Sequence, residues 1–276
     1  MRIRATVAAV SGALAISALA VPAAQAVTDS GTPYTLDASF SNVSIAKAIK
    51  VGTTNEVSVS YSYTLTHGST VNIAASDFYT DAFLYHGTYS DTAPELYGDD
   101  PATCTATSST TATCKGSINI YPTDADPKIA DAGTWNVAAE AVAFNGQDQQ
   151  NPDMSKVGFK DQSGLGTTLV QRYSKLTTTV SSTSVSKGKT FTASGKLSRA
   201  NWDDNLYHGY TNQPVKLQFR KAGSTTYTTI KTVYTDSYGN LKTTATVNYS
   251  GYWRYSYAGV STTPGVSATG VYVAAK

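Results

Sequence analysis

Three aspartates, Asp124, Asp126 and Asp131, crowd into the stretch "DADPKIADAGTW", and a further acid, Asp236, precedes a glycine in "TDSYGN". Clustered carboxylates can gather a divalent cation, so calcium is the first chemistry to weigh. An EF-hand loop requires oxygen ligands at positions 1, 3 and 5, glycine at 6 and an acid at 12. Counted from Asp124, Asp126 falls at the third position, but Lys128, Ile129 and Trp135 follow where an oxygen, the glycine and the acid belong. Counted from Asp236, Tyr238 and Val247 occupy ligand positions, and counted from Asp203, Asn205 is followed by Tyr207, His208 and Pro214. Each frame fails. "TDSYGNL" reads instead as a hairpin loop in which Gly239 or Asn240 supplies the positive φ that such loops need. Loops converging at one end of a sandwich are the other way to hold a cation, with Asp124, Asp126 and Asp131, or Asp99 and Asp100, as ligands.

A second group, Trp202, Tyr207, His208 and Tyr210, lies in "SRANWDDNLYHGYTNQP", which reads as a long connection between strands. Long loops on a rigid scaffold are where binding residues concentrate, and these rings could stack on a sugar or a peptide. The competing reading makes Trp202 a cap on the open end of the sandwich, so its burial decides between the two. In "YWRYSYAG" the pleat sends Trp253, Tyr255 and Tyr257 to one face and Tyr252, Arg254 and Ser256 to the other, and the three-ring face is expected in the core.

Catalytic arrangements are not legible. His67, His86 and His208 are scattered beside glycines, and G-x-S-x-G, H-E-x-x-H and a glycine-rich phosphate loop are missing from the sequence. Glu56, Glu95 and Glu140 stand in no context suggestive of glycoside hydrolysis. Cys104 and Cys114, in "TCTATSSTTATCKG", lack the further ligands of a zinc site and the spacing of a redox pair. A turn over Ser108 to Thr110 would set Thr107 opposite Thr111 and Cys104 opposite Cys114, within disulfide reach. The chain therefore reads as a non-enzyme with no required cofactor beyond the calcium alternative.

The elements that must position these residues are strands. Residues 1–26, "MRIRATVAAVSGALAISALAVPAAQA", have a basic start, an apolar stretch and a small-x-small ending, the layout of a cleaved signal peptide. The expectation is a secreted, extracellular protein without stable membrane insertion. Loss of Arg2 and Arg4 takes 21 basic residues to 19, against 19 acidic ones. A near-neutral chain lacks the field that gathers nucleic acid or anionic lipid, which excludes both as expected partners. Period-two alternation recurs: Val57, Val59, Tyr61, Tyr63 and Leu65; Val215, Leu217 and Phe219; Leu241, Thr243, Ala245 and Val247. A weak repeat, Gly133-x-Trp135 and Gly251-x-Trp253, resembles the corner that leads into strand F of immunoglobulin-type sandwiches. The predicted fold is all-β, two tandem immunoglobulin-like β-sandwich domains over 27–170 and 171–276 after the signal peptide.

"GKLSRANW", "NQPVKLQFRKAGSTTYTTIKTV" and "GYWRYSYAG" resemble the repeated immunoglobulin-like domain of small secreted actinobacterial (Streptomyces-type) proteins of unassigned function, some of them described as calcium-binding. The first domain, with its spaced cysteines and "AGTW", is similar to the domain that often precedes it. The resemblance implies a fold and little about activity. Two functions are carried forward: a structural or adhesive module contacting an extracellular protein or a cell-wall polymer, and a ligand-binding module for calcium or an extracellular glycan.

Overall fold

The computed structural model describes residues 31–124 and 127–276. The signal peptide read at residues 1–26 lies outside the described residues, as does Asp126. Among the described residues the regular structure is strands joined by turns, with short 3₁₀ turns at Pro122–Asp124, Ile129–Asp131 and Met154–Lys156. In chain order the strands are β1 (Tyr34–Thr35), β2 (Ala38–Ile45), β3 (Ala48–Val51), β4 (Val57–His67), β5 (Phe78–Tyr85), β6 (Glu95–Leu96), β7 (Thr103–Ala106), β8 (Thr111–Ile120), β9 (Gly133–Ala143), β10 (Gly158–Gln162) and β11 (Thr167–Arg172). They continue as β12 (Ser174–Leu176), β13 (Thr179–Val180), β14 (Ser184–Val185), β15 (Thr190–Asn201), β16 (Leu206–Gly209), β17 (Pro214–Lys221), β18 (Thr228–Tyr234), β19 (Asn240–Thr246), β20 (Gly251–Tyr257), β21 (Val266–Ser267) and β22 (Val271–Ala275). Two compact units divide them.

In the first unit one sheet runs β2-β4-β8-β7, and the other places β9 between β10 and β5, with β6 beyond β5 and β1 parallel to β10. In immunoglobulin lettering these are A-B-E-D and G-F-C-C′. The alternation read in β4 is realised: Tyr61, Tyr63 and Leu65 are buried while Ser60 and Thr66 face water. The Tyr63 hydroxyl sits 2.7 Å from Thr80 Oγ1, so the ring fills the core while its polar tip keeps a partner. Burial pushes the Tyr63 phenol well above its ordinary pKa. Trp135, near the start of β9, is fully buried, with the His86 ring 5.3 Å away. Cys104 and Cys114 face each other across β7 and β8 and are disulfide-bonded. Thr107 and Thr111 close the hairpin end through a backbone bond of 2.8 Å, in the predicted register.

The second unit comprises Ala48–Val57, Tyr121–Thr134 and Leu169–Lys276. Its β15 pairs with β12, β13, β16 and β19, the A, B and E side of a sandwich. The other sheet runs β14-β22-β20-β17-β18, or A′-G-F-C-C′, with β14 parallel to β22. That order makes this an immunoglobulin-like sandwich too. β3 lies parallel to β11, from Ala48 opposite Leu169 to Val51 opposite Arg172.

Trp253, Tyr255 and Tyr257 all point into the core from β20. Trp253 packs between Phe191, 5.0 Å away edge-on, and Phe219 at 4.7 Å. Its Nε1–H has no acceptor among the described residues, so the ring serves packing without the hydrogen bond a corner tyrosine would make. Gly251 starts the strand because a Cβ there would overlap the Arg220 carbonyl and the Phe219 ring.

Candidate functional site

The connection around Trp202 is not a long loop. β15 runs on to Asn201, a tight turn follows, and β16 returns along it, with Asn201 opposite Leu206 and Arg199 opposite His208. Asn201 Oδ1 takes the Asp203 amide, and Asn205 adopts left-handed backbone, with a φ of 60°, to close the turn. Leu197 and Ala200 are both buried, so strict alternation breaks just where the sequence reading ended the strand.

Trp202 is 1% exposed, and its Nε1–H donates to the Val51 carbonyl at 3.3 Å. It has no open face for a sugar or peptide, which removes it from the proposed stacking group and favours the capping role. The other three do not converge either. The Tyr207 ring lies 3.5 Å beneath Lys175 Nζ, and burial raises its phenol pKa. Tyr210 carries the Arg199 guanidinium 3.9 Å above its ring and meets Tyr257 edge-on. His208 Nε2 stands 2.7 Å from Asp204 Oδ2 on the exposed side of the hairpin. Desolvation acts to raise the Asp204 carboxyl, but the bonds from His208 and the Leu206 amide together hold it below the usual aspartate value.

Two of the acids read as metal ligands are bonded to near neighbours in sequence. Asp131 accepts the Lys128 amide at 2.9 Å, and Asp124 accepts the Thr123 hydroxyl at 3.2 Å. Among the described residues no three His, Cys, Asp or Glu side chains gather in a metal-binding cluster. Asp236 accepts the Tyr238 and Asn240 amides, each at 2.8 Å, while Gly239 supplies the positive φ. That is the hairpin expected for "TDSYGNL". The hydrogen bonds from Asn240 and then Tyr238 hold the Asp236 carboxyl below its ordinary pKa. His67 bonds to the Gly68 carbonyl through Nδ1, far in sequence and role from His208.

One arrangement escaped the sequence reading. On the outward side of β17 and β20, Gln218 stands opposite Arg254, Arg220 opposite Tyr252 and Lys216 opposite Ser256. Tyr227 lies over this face, with the Arg254 guanidinium 3.8 Å and the Arg220 guanidinium 5.3 Å from its ring centre. Arg220 also sits 4.2 Å over Tyr252, which meets Tyr272 edge-on at 5.2 Å. The result is a ladder of alternating aromatic and guanidinium groups. Its one legible signal was that Tyr252 and Arg254 share the face opposite the core.

No family model and no curated protein matches the chain. Solved structures it is similar to include a teleost fish polymeric Ig receptor ectodomain, at 12% identity over 85% of this chain and 98% of that one, with a TM-score of 0.24. The D0-D1 domain of Intimin matches at 15% identity over 85% and 98%, with a TM-score of 0.25. An ICAM-5 D1-D4 ectodomain fragment matches at 13% identity over 85% and 46%, with a TM-score of 0.32. The immunoglobulin-like assignment rests on strand order and not on these scores.

Proposed function

We propose that the chain is an extracellular, non-enzymatic interaction module of adhesive or structural type. The observation that carries this reading is the commitment of its candidate chemical groups to turns and packing. His67 bonds its neighbour's carbonyl, His86 lies against Trp135, and His208 pairs with Asp204 in an exposed hairpin. The disulfide favours an oxidising compartment, in keeping with the export signal read at residues 1–26. Expression of the full chain with separate assay of cytoplasm, cell surface and medium tests this reading. The expected outcome is surface-held or released protein with Cys104 and Cys114 oxidised. Cytoplasmic protein with two free thiols would overturn it. The ligand-binding alternative is supported by the aromatic and cationic face of β17 and β20, and for calcium by the loop acids alone.

A further inference from the structure

We infer that the outward face of β17, β20 and β22 binds an anionic glycan, with Arg220, Arg254 and Lys216 taking its acidic groups and Tyr272 its sugar rings. The inference rests on the interaction-module reading and names its partner class. Charge is the first support. Residues 171–276 contain 13 Lys or Arg but only 3 Asp and no Glu, whereas residues 27–170 contain 6 Lys or Arg and 16 Asp or Glu. Those three aspartates are all in turns: Asp203 takes the Ile129 amide, Asp204 the Leu206 amide and His208, and Asp236 the Tyr238 and Asn240 amides. None of these three aspartates is bonded to Lys216, Arg220 or Arg254.

Preorganisation is the second support. Arg254 Nε–H donates to Gln218 Oε1 at 2.9 Å and the guanidinium stacks on Tyr227, which fixes its plane. Its remaining N–H groups take no acceptor among the described residues, and they form the fork that matches carboxylate, sulfate or phosphate oxygens. Arg220 is held in the same way, by the Ser224 carbonyl and by Tyr252. Lys216 is exposed beside them. Tyr272, 42% exposed, and half-buried Tyr252 continue the face with ring surface, which a bare inorganic polyanion would not use. Gly270 leaves the room that the Tyr227 hydroxyl occupies, since a Cβ there would overlap it. The ladder is thus built into the sheet, with its charged edges open to water.

Titration of the full chain with polygalacturonate, with neutral dextran and polyphosphate as comparators, tests the site. Binding to polygalacturonate should weaken steeply as salt is raised, as displacement of counterions requires. Arg220→Gln and Arg254→Gln should each weaken it about tenfold or more, the loss expected for a charge-assisted hydrogen bond. Lys216→Gln, which removes an exposed side chain without touching the ladder, should weaken it severalfold. Tyr272→Ala should weaken polygalacturonate binding and leave polyphosphate binding unchanged. Lys242→Gln, at an exposed position of β19 in the other sheet, should change neither. Failure to bind polygalacturonate at low salt overturns the inference, as does an equal loss in Lys242→Gln, which would mean unlocalised charge. Tyr272→Ala without effect on the glycan also overturns it. So does salt-sensitive self-association that Arg254→Gln abolishes while glycan binding is absent, because the occupant would then be the acidic part of a second copy. Surface retention that survives Arg220→Gln and Arg254→Gln would leave the module reading standing and the glycan site refuted.

Discussion

Trp202 and Trp253 show how similar burial can rest on different support. Trp253 is held by rings, Phe191 and Phe219, and its indole N–H has no acceptor among the described residues; Trp202 directs its N–H at the Val51 carbonyl. Truncating either removes a buried aromatic, so Trp253→Ala and Trp202→Ala should each lower the stability of the full chain by about 3 to 5 kcal/mol. Replacement by phenylalanine should separate them. Trp202→Phe removes the indole donor from the Val51 carbonyl, which keeps the Tyr173 amide at 2.8 Å, whereas Trp253→Phe breaks no hydrogen bond, so the extra loss at Trp202 should be about 1 kcal/mol at most. Denaturant melts check both, and a mild Trp202→Ala would restore the exposed-ring reading. Asp236 gives a pH prediction. Its folded pKa is depressed by the Asn240 and Tyr238 amides, so the stability it contributes is present above its unfolded pKa, near 3.9, and is lost as pH falls through the lower folded value. A carboxyl carbon titration of Asp236 should show a midpoint below about 3.9, and a midpoint at or above it would mean that the turn is not held this way.

Hairpins divide what the sequence disclosed from what it hid. The β7–β8 hairpin was readable because small β-formers, a polar turn and two cysteines in register leave little freedom: Thr107 meets Thr111 and Cys104 meets Cys114. Replacing both cysteines with alanine should cost about 3 kcal/mol at most, given so short a loop, and should leave the core around Trp253 intact. Intact mass before and after reduction checks the bond, and melts followed by Trp253 indole signals check the second half. The β15–β16 hairpin was hidden. Arg199, Asn201, Asp203 and Asp204 make "SRANWDDN" look like solvent-exposed loop, yet Arg199 lies over Tyr210 and the Asn201 and Asp204 side chains cap the turn. Polar residues that satisfy a turn give the same composition as residues that merely face water. The core strands posed no such ambiguity, because in β4 and β20 period-two alternation and aromatic content agree.

For the whole chain, averages concealed two partitions. A balance of 19 basic and 19 acidic residues after residue 26 suggested a molecule indifferent to polyanions, but the charges are segregated along the sequence, and the argument from net charge does not apply to residues 171–276. Chain order likewise suggested a cut near residue 171, while the second compact unit also draws on Ala48–Val57 and Tyr121–Thr134. Nothing in a linear pattern marks a four-residue strand such as β3 as the partner of β11, because parallel pairing places no turn between them. This arrangement makes a prediction for a fragment of residues 171–276. It retains β12 to β22 and the aromatic core of β20, so it should fold. It lacks Val51, so the Trp202 Nε1–H loses its protein acceptor and turns to water. Hydrogen exchange read by NMR should show the Trp202 indole proton protected in the full chain and fast in the fragment, with the amides of β17 and β20 protected in both. A Trp202 proton equally protected in the fragment would show that residues 48–57 do not cover it. Fast exchange across β17 and β20 would show that the downstream strands do not hold a sandwich by themselves.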